Sequence, residues 1–192
     1  MGDPNSLKLP SIGVIGTRNP QEEYAAVERR YVSNLVQENG REIVIVSGLA
    51  EGCDAVAHRT TLDNNGSTIA VLPCGFEQIY PQEHNALAEE IARSSGCLIS
   101  EYEPWQRASA KLNYMFINRD RLIAALSDRL TVTEAGPIGG TLITANVACR
   151  LRRPISCLRV PDKTPPEGNS YLVNKRGALW EDMGKSTAAF NT

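Results

Sequence analysis

Six short apolar runs, most of them separated by segments with helical spacing, constrain the fold of this chain more than any other feature. The runs are residues 12–15, 43–46, 68–72, 97–99, 130–133 and 155–158. Unbroken apolar strands that alternate with amphipathic helices are typical of a parallel sheet that helices cover on both faces. The sequence therefore predicts an α/β chain with a single doubly wound Rossmann-like domain and a mainly parallel sheet of about six strands.

The length and flanks of the chain set the expected domain boundaries. Its 192 residues are enough for one domain with a sizeable core. Residues 1–6 (MGDPNS) resemble a cloning remnant, and the domain is expected over residues 7–180. Residues 181–192 are expected to form a flexible tail. Within the domain, residues 101–115 are predicted to form a functional flap and residues 161–170 a Pro-rich loop.

Composition and charge favour some partners over others. No apolar run approaches the ~18 residues of a membrane span, and five cysteines form no CxxC pair, so a cytoplasmic protein with reduced thiols and no membrane contact is expected. A net charge of −2 gives no overall attraction for nucleic acid. Basic residues nevertheless concentrate in residues 105–121 and 150–163, which predicts a one-sided basic surface.

Three turns of small residues follow the first, second and fifth runs. They contain Gly16, Thr17 and Arg18; then Ser47, Gly48, Gly52 and Asp54; then Gly139, Gly140 and Thr141. Backbone N–H groups and helix N-termini at such turns favour a phosphate, and an arginine guanidinium can fork onto its oxygens. Because the carboxyl ends of parallel strands meet at one edge, the turns are expected to form a single phosphate-binding pocket.

A further candidate segment begins at Phe116 and continues as a predicted helix. Phe116 is expected either in the core or as a platform on which a base stacks. Arg119 and Arg121 lie two residues apart, so their side chains diverge on a helix. One of them is expected to face a ligand, while the other pairs with an acid such as Glu101 or Glu134.

No combination of residues predicts catalysis. His58 lies one helical turn after Asp54, and a structural contact between the two is expected rather than acid–base chemistry. The sequence has no metal-ligand spacing and no nucleophile–base pattern. We therefore predict no metal, no cofactor and no catalytic residue, and do not expect an enzyme.

Seven stretches of this sequence resemble the Rossmann-type domain of the DNA-processing protein A (DprA/Smf) family. In order and spacing they span about residues 12–180: VIGTRN (14–19), SGLAEGCDAVAH (47–58), TIAVLPCGFEQIYPQEHNAL (68–87), LISEYEP (98–104), FINRDRLIAALSD (116–128), VTEAGPIGGTLITANVA (132–148) and EGNSYLVNKRGAL (167–179). A single SGxAxGxD stretch would be weak evidence, but the whole combination is specific.

The resemblance implies a protein that handles incoming single-stranded DNA. Members of the family bind the strand in a basic pocket, form homodimers, protect the strand from nucleases and help to load RecA during natural transformation. By position, the residues that would line such a pocket are Arg18, Ser47, Gly48, Phe116, Arg119, Arg121, Gly139, Gly140 and Thr141. Binding of this kind is expected to be salt-sensitive and largely independent of sequence.

Departures from the family pattern keep two alternatives open. Glu51 stands where the family usually has Arg, and Asp120 places another acid near the pocket. Carboxylates accept hydrogen bonds from ribose hydroxyls, which suits a sensor of a nucleotide or ribose-phosphate ligand. The second alternative is hydrolysis, as in the nucleoside-monophosphate phosphoribohydrolases of the same superfamily, which carry a GGxGTxxE motif. This chain has no Glu at the matching place after Gly139-Gly140-Thr141, so hydrolysis is the least favoured of the three functions.

Overall fold

The computed structural model describes residues 1–109 and 113–181 and contains, within them, one sheet of seven parallel strands. The strands are β1 (Ser11–Ile15), β2 (Val44–Ser47), β3 (Ser67–Val71), β4 (Cys97–Ile99), β5 (Arg129–Val132), β6 (Ile155–Cys157) and β7 (Leu179–Trp180). Their spatial order is β4-β3-β2-β1-β5-β6-β7. Neighbouring strands pair in parallel throughout, for example Gly13 with Val46 on one side and with Leu130 on the other.

Within the described residues, six α-helices cover the two faces of the sheet. They are α1 (Glu22–Asn39), α2 (Cys53–Asp63), α3 (Asn85–Arg93), α4 (Asn113–Leu126), α5 (Gly140–Arg150) and α6 (Glu167–Arg176). The strands alternate their apolar side chains between the faces, because successive residues point to opposite sides. Ile45 packs in a core cluster with Leu35 of α1 and Ala57 of α2, whereas Val46 packs in another with Ala145 of α5.

The predicted fold class is confirmed, with one strand more than the sequence suggested. β7 has only two residues, which is too short for a hydrophobic pattern to reveal. α6 begins at Glu167, inside the segment predicted as a Pro-rich loop, with Pro166 at its N-cap. Residues 101–109 contain no helix, residues 110–112 lie outside the described residues, and α4 begins within the predicted flap.

The first residues of the chain extend the edge of the sheet. The backbone N–H of Leu98 donates to the carbonyl of Met1 (2.7 Å), and Gly2 forms an antiparallel bridge with Cys97. A short 3₁₀ helix, Pro4–Lys8, follows. The origin of residues 1–6 as a cloning remnant stays a prediction. All but the first residue of the predicted tail, 182–192, lies outside the described residues.

The sheet reverses its winding at β1, which lies between β2 and β5. Ligands of doubly wound sheets bind in the crevice beyond the carboxyl ends of the strands at such a point. The three predicted turns follow β1, β2 and β5 and therefore surround this crevice. Among the described helices, none is both long and apolar enough to span a bilayer.

Candidate functional site

The turn after β1 is bonded to both neighbouring turns. The N–H of Thr17 donates to the carbonyl of Glu134 (2.8 Å), and the N–H of Cys53 donates to the carbonyl of Thr17 (3.1 Å). The Thr141 hydroxyl donates to the carbonyl of Gly16 (2.9 Å). The three turns therefore form one hydrogen-bonded unit, as their positions at the ends of parallel strands predict.

The N-terminus of α5 offers backbone donors on one side of the crevice. Gly139 occupies the N-cap with a φ of 138°, and no side chain caps the helix. The first N–H groups of a helix have no partner within it and carry its positive dipole end. Gly139 and Gly140 add no side chain to cover these donors, while the Thr141 hydroxyl is used by Gly16 rather than as a cap.

Arg119 lies on the floor of the crevice between two carboxylates. Its Nε donates to Oδ1 of Asp120 (2.8 Å), its Nη1 donates to the carbonyl of Gly48, and Nη1 lies 3.9 Å from Oδ2 of Asp54. All three charged side chains are buried. Burial raises the pKa of Asp120 to about 6, and that of Asp54 is also raised, although the Arg119 charge opposes both shifts.

The turn after β2 is built around Asp54 and Arg119. Oδ2 of Asp54 accepts from the N–H groups of Gly48 (3.1 Å) and Ala50 (3.3 Å), so it closes the turn instead of capping α2. A Cβ at Gly48 would overlap Arg119 and lie 2.8 Å from Oδ2 of Asp54. Gly52 has a φ of 72°, and its Cα lies against the backbone carbonyls of Thr17 and Arg18, where a Cβ would overlap both.

A cavity of about 500 Å³ opens above this floor. Nine predicted site residues line it: Gly16, Thr17, Arg18, Asp54, Phe116, Arg119, Gly139, Gly140 and Thr141. Arg18 is exposed, and its Cζ lies 5.8 Å from the centroid of the Phe116 ring. The Tyr80 ring packs edge to face against the same ring, with 5.4 Å between the two ring centroids and 73° between the ring planes. Phe116 is half-buried at the cavity wall rather than in the core.

A second cavity of about 490 Å³ adjoins the first, and they share Arg18, Tyr80, Phe116 and Arg119 among their linings. Gly48 lines this second cavity, and so do Arg107 and Glu51, the acid that differs from the family pattern noted in the sequence. Arg18 and Phe116 therefore border both cavities, so a chain-like ligand that extends from one cavity into the other would pass beside them.

Three of the predicted site residues lie outside both cavities. The buried Ser47 donates its hydroxyl to the carbonyl of Val14 (2.6 Å), so it ties β2 to β1. Gly52 serves the close approach described above. Arg121 points away and forms an exposed ion pair with Glu101, through Nη2 and both carboxylate oxygens at 2.6 Å. Glu101 is one of the two acids that the sequence suggested for the diverging arginine.

The basic residues of the two predicted segments do not all gather at the crevice. α5 runs from the carboxyl edge of the sheet to the opposite edge, because a crossover helix is antiparallel to its strands, so Arg150 and residues 152–153 lie far from the crevice. Lys163 pairs with Glu23 of α1 (2.5 Å). Arg18 and Arg107 are the exposed basic side chains that line the cavities within the described residues.

The expected contact between Asp54 and His58 is wrong. Asp54 turns back to the amides of Gly48 and Ala50, while Nδ1 of the fully buried His58 bonds to the Thr68 hydroxyl of β3 (2.7 Å). Burial lowers the pKa of His58 to about 3, so the imidazole is neutral. Spacing on a helix allowed the contact, but the sheet behind α2 and the turn in front of it attract the two side chains in opposite directions.

Several residues that line the cavities were not predicted from the sequence. The larger omissions are the aromatic and aliphatic side chains Tyr80, Ile117, Ile138 and Ile143. Ile138 lies inside the third turn and Ile117 directly follows Phe116, so their position beside predicted site residues is the signal in the sequence that could have identified them. In residues 1–109 and 113–181, no group of three or more His, Cys, Asp or Glu side chains could hold a metal ion.

Comparison with known proteins identifies relatives over nearly the whole chain. The family profile described as DNA recombination-mediator protein A matches residues 1–190. Protein Smf from Synechocystis sp. is 39% identical over 168 residues, which are 87% of this chain and 40% of that protein. The chain spans about two-fifths to one half of the length of the curated relatives that it matches.

Two solved structures share the fold at appreciable identity. DNA processing protein A (DprA) from Streptococcus pneumoniae is similar with a TM-score of 0.82 and 32% identity, over 94% of this chain and 61% of that chain. DNA processing protein A from Helicobacter pylori, whose structure concerns a single-stranded DNA binding mode, gives a TM-score of 0.82 and 29% identity, over 95% of this chain and 81% of that chain.

Proposed function

The chain belongs to the DNA recombination-mediator protein A family, and from that premise we propose that it binds single-stranded DNA in the crevice beyond β1, β2 and β5. The observation that carries the proposal is the meeting, in one cavity, of an uncapped helix N-terminus, an exposed arginine and an aromatic ring. These groups suit the phosphate, the charge and the base of a nucleotide. The binding mode of the H. pylori relative supports the choice of ligand.

The phosphate would lie at the N-terminus of α5. The bare backbone at Gly139 and Gly140 lets an anion approach the N–H groups of the first turn closely. The exposed Arg18, which lines the same cavity, can donate two parallel hydrogen bonds to phosphate oxygens. The buried Arg119 would act differently, because its donors already serve Asp120 and Gly48. We therefore assign direct phosphate contact to Arg18 and support of the floor to Arg119.

Passage of a strand from one cavity to the other would take it over Phe116. A base can stack on the free part of this ring, while the Arg18 guanidinium lies over the ring and near the strand. Glu51 in the second cavity would repel the phosphate backbone of the strand and so lower the affinity for DNA. Such contacts follow the sugar–phosphate chain and the faces of bases, so binding would tolerate many sequences and weaken with salt.

Further roles are proposed from the family resemblance alone. They are assembly as a homodimer, protection of the strand from nucleases and loading of RecA during natural transformation. Protection of the strand and loading of RecA would use a strand held in the crevice, whereas assembly as a homodimer and loading of RecA would each require a partner surface. A chain that binds no single strand could neither protect one nor load RecA onto it.

Asp120 favours a second candidate, a sensor of a ribonucleotide or ribose-phosphate. One oxygen of this carboxylate accepts from Arg119, while the other, Oδ2, lies 3.2 Å from where a Cβ of Gly140 would be, beside the N-terminus of α5. A carboxylate so placed could accept a hydroxyl hydrogen of a ribose whose phosphate lies at the helix. DNA lacks the 2′-hydroxyl, so this arrangement would favour a small ribonucleotide.

The experiment that tests the proposal is a fluorescence-anisotropy titration of a labelled single strand of ~20 nucleotides at two salt concentrations. Duplex and mononucleotides serve as competitors. Arg18→Ala should weaken binding about tenfold and flatten the dependence on salt by roughly 0.7 in the log–log slope, the value for one contact to a single strand. Arg93→Ala removes an exposed arginine of α3 that lines neither cavity, so it should leave both quantities unchanged.

The two candidates give opposite results in this titration. Salt-sensitive binding that prefers the single strand supports the DNA-binding proposal. Absence of strand binding, together with thermal stabilisation by a ribonucleotide and not by its 2′-deoxy analogue, would overturn it in favour of the sensor. Equal losses for Arg18→Ala and Arg93→Ala would remove Arg18 from the site.

A further inference from the structure

Three exposed isoleucines line the cavity that we assign to phosphate. The exposed fractions are 87% for Ile138, 47% for Ile117 and 39% for Ile143. All three line the same cavity as Arg18 and the N-terminus of α5. A single exposed aliphatic side chain is ordinary, but three around one cavity leave apolar surface in contact with water, which is unfavourable in free energy.

The surrounding elements hold these side chains around the helix N-terminus. Ile138 directly precedes the N-cap Gly139, and Ile143 lies in the first turn of α5, where its N–H donates to the carbonyl of Gly139 (3.2 Å). Ile117 comes from the neighbouring helix α4, one residue after Phe116. α4 and α5 pack side by side in the core through Ile123 and Ala145. The apolar surface and the anion-binding amides are therefore two parts of one cavity.

This combination restricts what can occupy the cavity. A free phosphate would use the amides and Arg18 but leave the isoleucines in water. An apolar peptide would cover the isoleucines but offer no negative charge to the helix dipole and Arg18. A nucleotide unit of a single strand joins both features, since its phosphate is linked to a flat base with a largely apolar face.

We propose that Ile117, Ile138 and Ile143 form a nucleobase shelf, on which an unpaired base packs flat while the phosphate of the same strand lies at the N-terminus of α5. The inference rests on the proposed binding of single-stranded DNA and adds a base subsite on the side of α5, apart from the aromatic platform of Phe116. Bases stacked in a duplex present only their edges, so the shelf selects unpaired strands. Aliphatic side chains contact every base alike, so it does so without reading sequence.

The test compares a normal strand with one that lacks bases. An oligonucleotide of ~20 thymidines and an abasic strand of equal length and charge are titrated against the wild type, Ile138→Ser and the double variant Ile117→Ser/Ile138→Ser. Loss of an aliphatic contact with the base should weaken binding to the thymidine strand by about tenfold in the double variant. Binding to the abasic strand should be unchanged, because phosphate contacts remain.

Leu151→Ser provides the matched control. Leu151 is also exposed (46%) and lies at the C-cap of α5, at the opposite end of the same helix. It should leave both titrations unchanged. Circular dichroism and thermal unfolding check that each variant is folded.

Each outcome bears on one of the two proposals. Failure of the wild type to bind either strand would refute DNA binding itself. If the wild type binds the thymidine strand, but the isoleucine variants weaken binding to both strands equally or to neither strand, the shelf alone is overturned. If Ile138→Ser instead shifts the sedimentation coefficient from dimer to monomer and leaves the ratio between the strands unaltered, the isoleucines cover a second copy of the chain, and the shelf is overturned.

Discussion

Gly48→Ala is the perturbation with the sharpest structural consequence. An alanine Cβ at this position would overlap Nη1 of Arg119, and would lie 2.6 Å from its Cζ and 2.8 Å from Oδ2 of Asp54. The guanidinium cannot remain where it is. Its hydrogen bond to the Gly48 carbonyl would be lost, and its contact with Asp120 would be disturbed.

The expected cost follows from these two effects. A hydrogen bond to a charged group contributes about 1.5–3 kcal/mol, and overpacking of a tight site costs about 1–3 kcal/mol. Because movement of Arg119 relieves part of the overlap while it breaks the bond, we expect the free energy of unfolding to fall by about 2–4 kcal/mol. With a urea dependence of about 2 kcal/mol/M, the midpoint of unfolding would fall by roughly 1–2 M.

Urea unfolding followed by circular dichroism measures this loss, and a double-mutant cycle assigns it. In an Arg119→Ala background, most of the overlap is absent, so Gly48→Ala should cost at least ~1 kcal/mol less than in the wild type. Gly136→Ala is the control for adding a methyl group in the same region, because the nearest atom to its Cβ would be the Ile138 carbonyl oxygen at 3.8 Å. A cost for Gly48→Ala below ~1 kcal/mol, or equal in both backgrounds, would refute the reasoning.

Two further predictions concern the acids of the site. Burial raises the pKa of Asp120 to about 6, so its protonation stabilises the folded state as pH falls from about 6 to 4. Protonation also removes a negative charge beside the phosphate. Strand binding should therefore tighten several-fold between pH 7.5 and 5.5. Asp120→Asn should bind at pH 7.5 as tightly as the wild type does at pH 5.5, and an anisotropy titration that shows the same pH dependence for both would contradict this. Glu51→Arg should tighten binding several-fold at low salt, because it replaces a repelling charge in the second cavity. The charge-matched Glu89→Arg on α3 should have little effect, and equal gains in the same assay would show that only net charge matters.

The gross arrangement of the site could be predicted because two local rules agree. Apolar runs of four or five residues specify parallel strands, and the small-residue turns after them fall by topology at one edge of the sheet. The hydrogen bonds that join Thr17, Cys53 and Glu134 follow from that edge. β7 escaped prediction because its two residues pair with β6 through contacts that only tertiary packing brings together.

The direction of individual side chains could not be predicted. Spacing on a helix says that Arg119 and Arg121 diverge, yet both face an acid, and only the surroundings decide which arginine is buried. The decisive partner of Arg119 is the carbonyl of Gly48, which lies 71 residues away in the chain. His58 similarly finds Thr68 on a strand rather than Asp54 on its own helix.

The charges of the floor explain why Arg18 should dominate binding. Asp54 and Asp120 together outweigh the single charge of Arg119 when both are ionised, and in that state the buried trio repels an anion rather than attracting it. Within the first cavity, attraction must therefore come from the N-terminus of α5 and from the exposed guanidinium of Arg18. A helix dipole amounts to about half a charge, so removal of Arg18 takes away most of the favourable field. The same balance makes Asp120 the residue through which pH would regulate the affinity, because its protonation leaves the trio with no net charge.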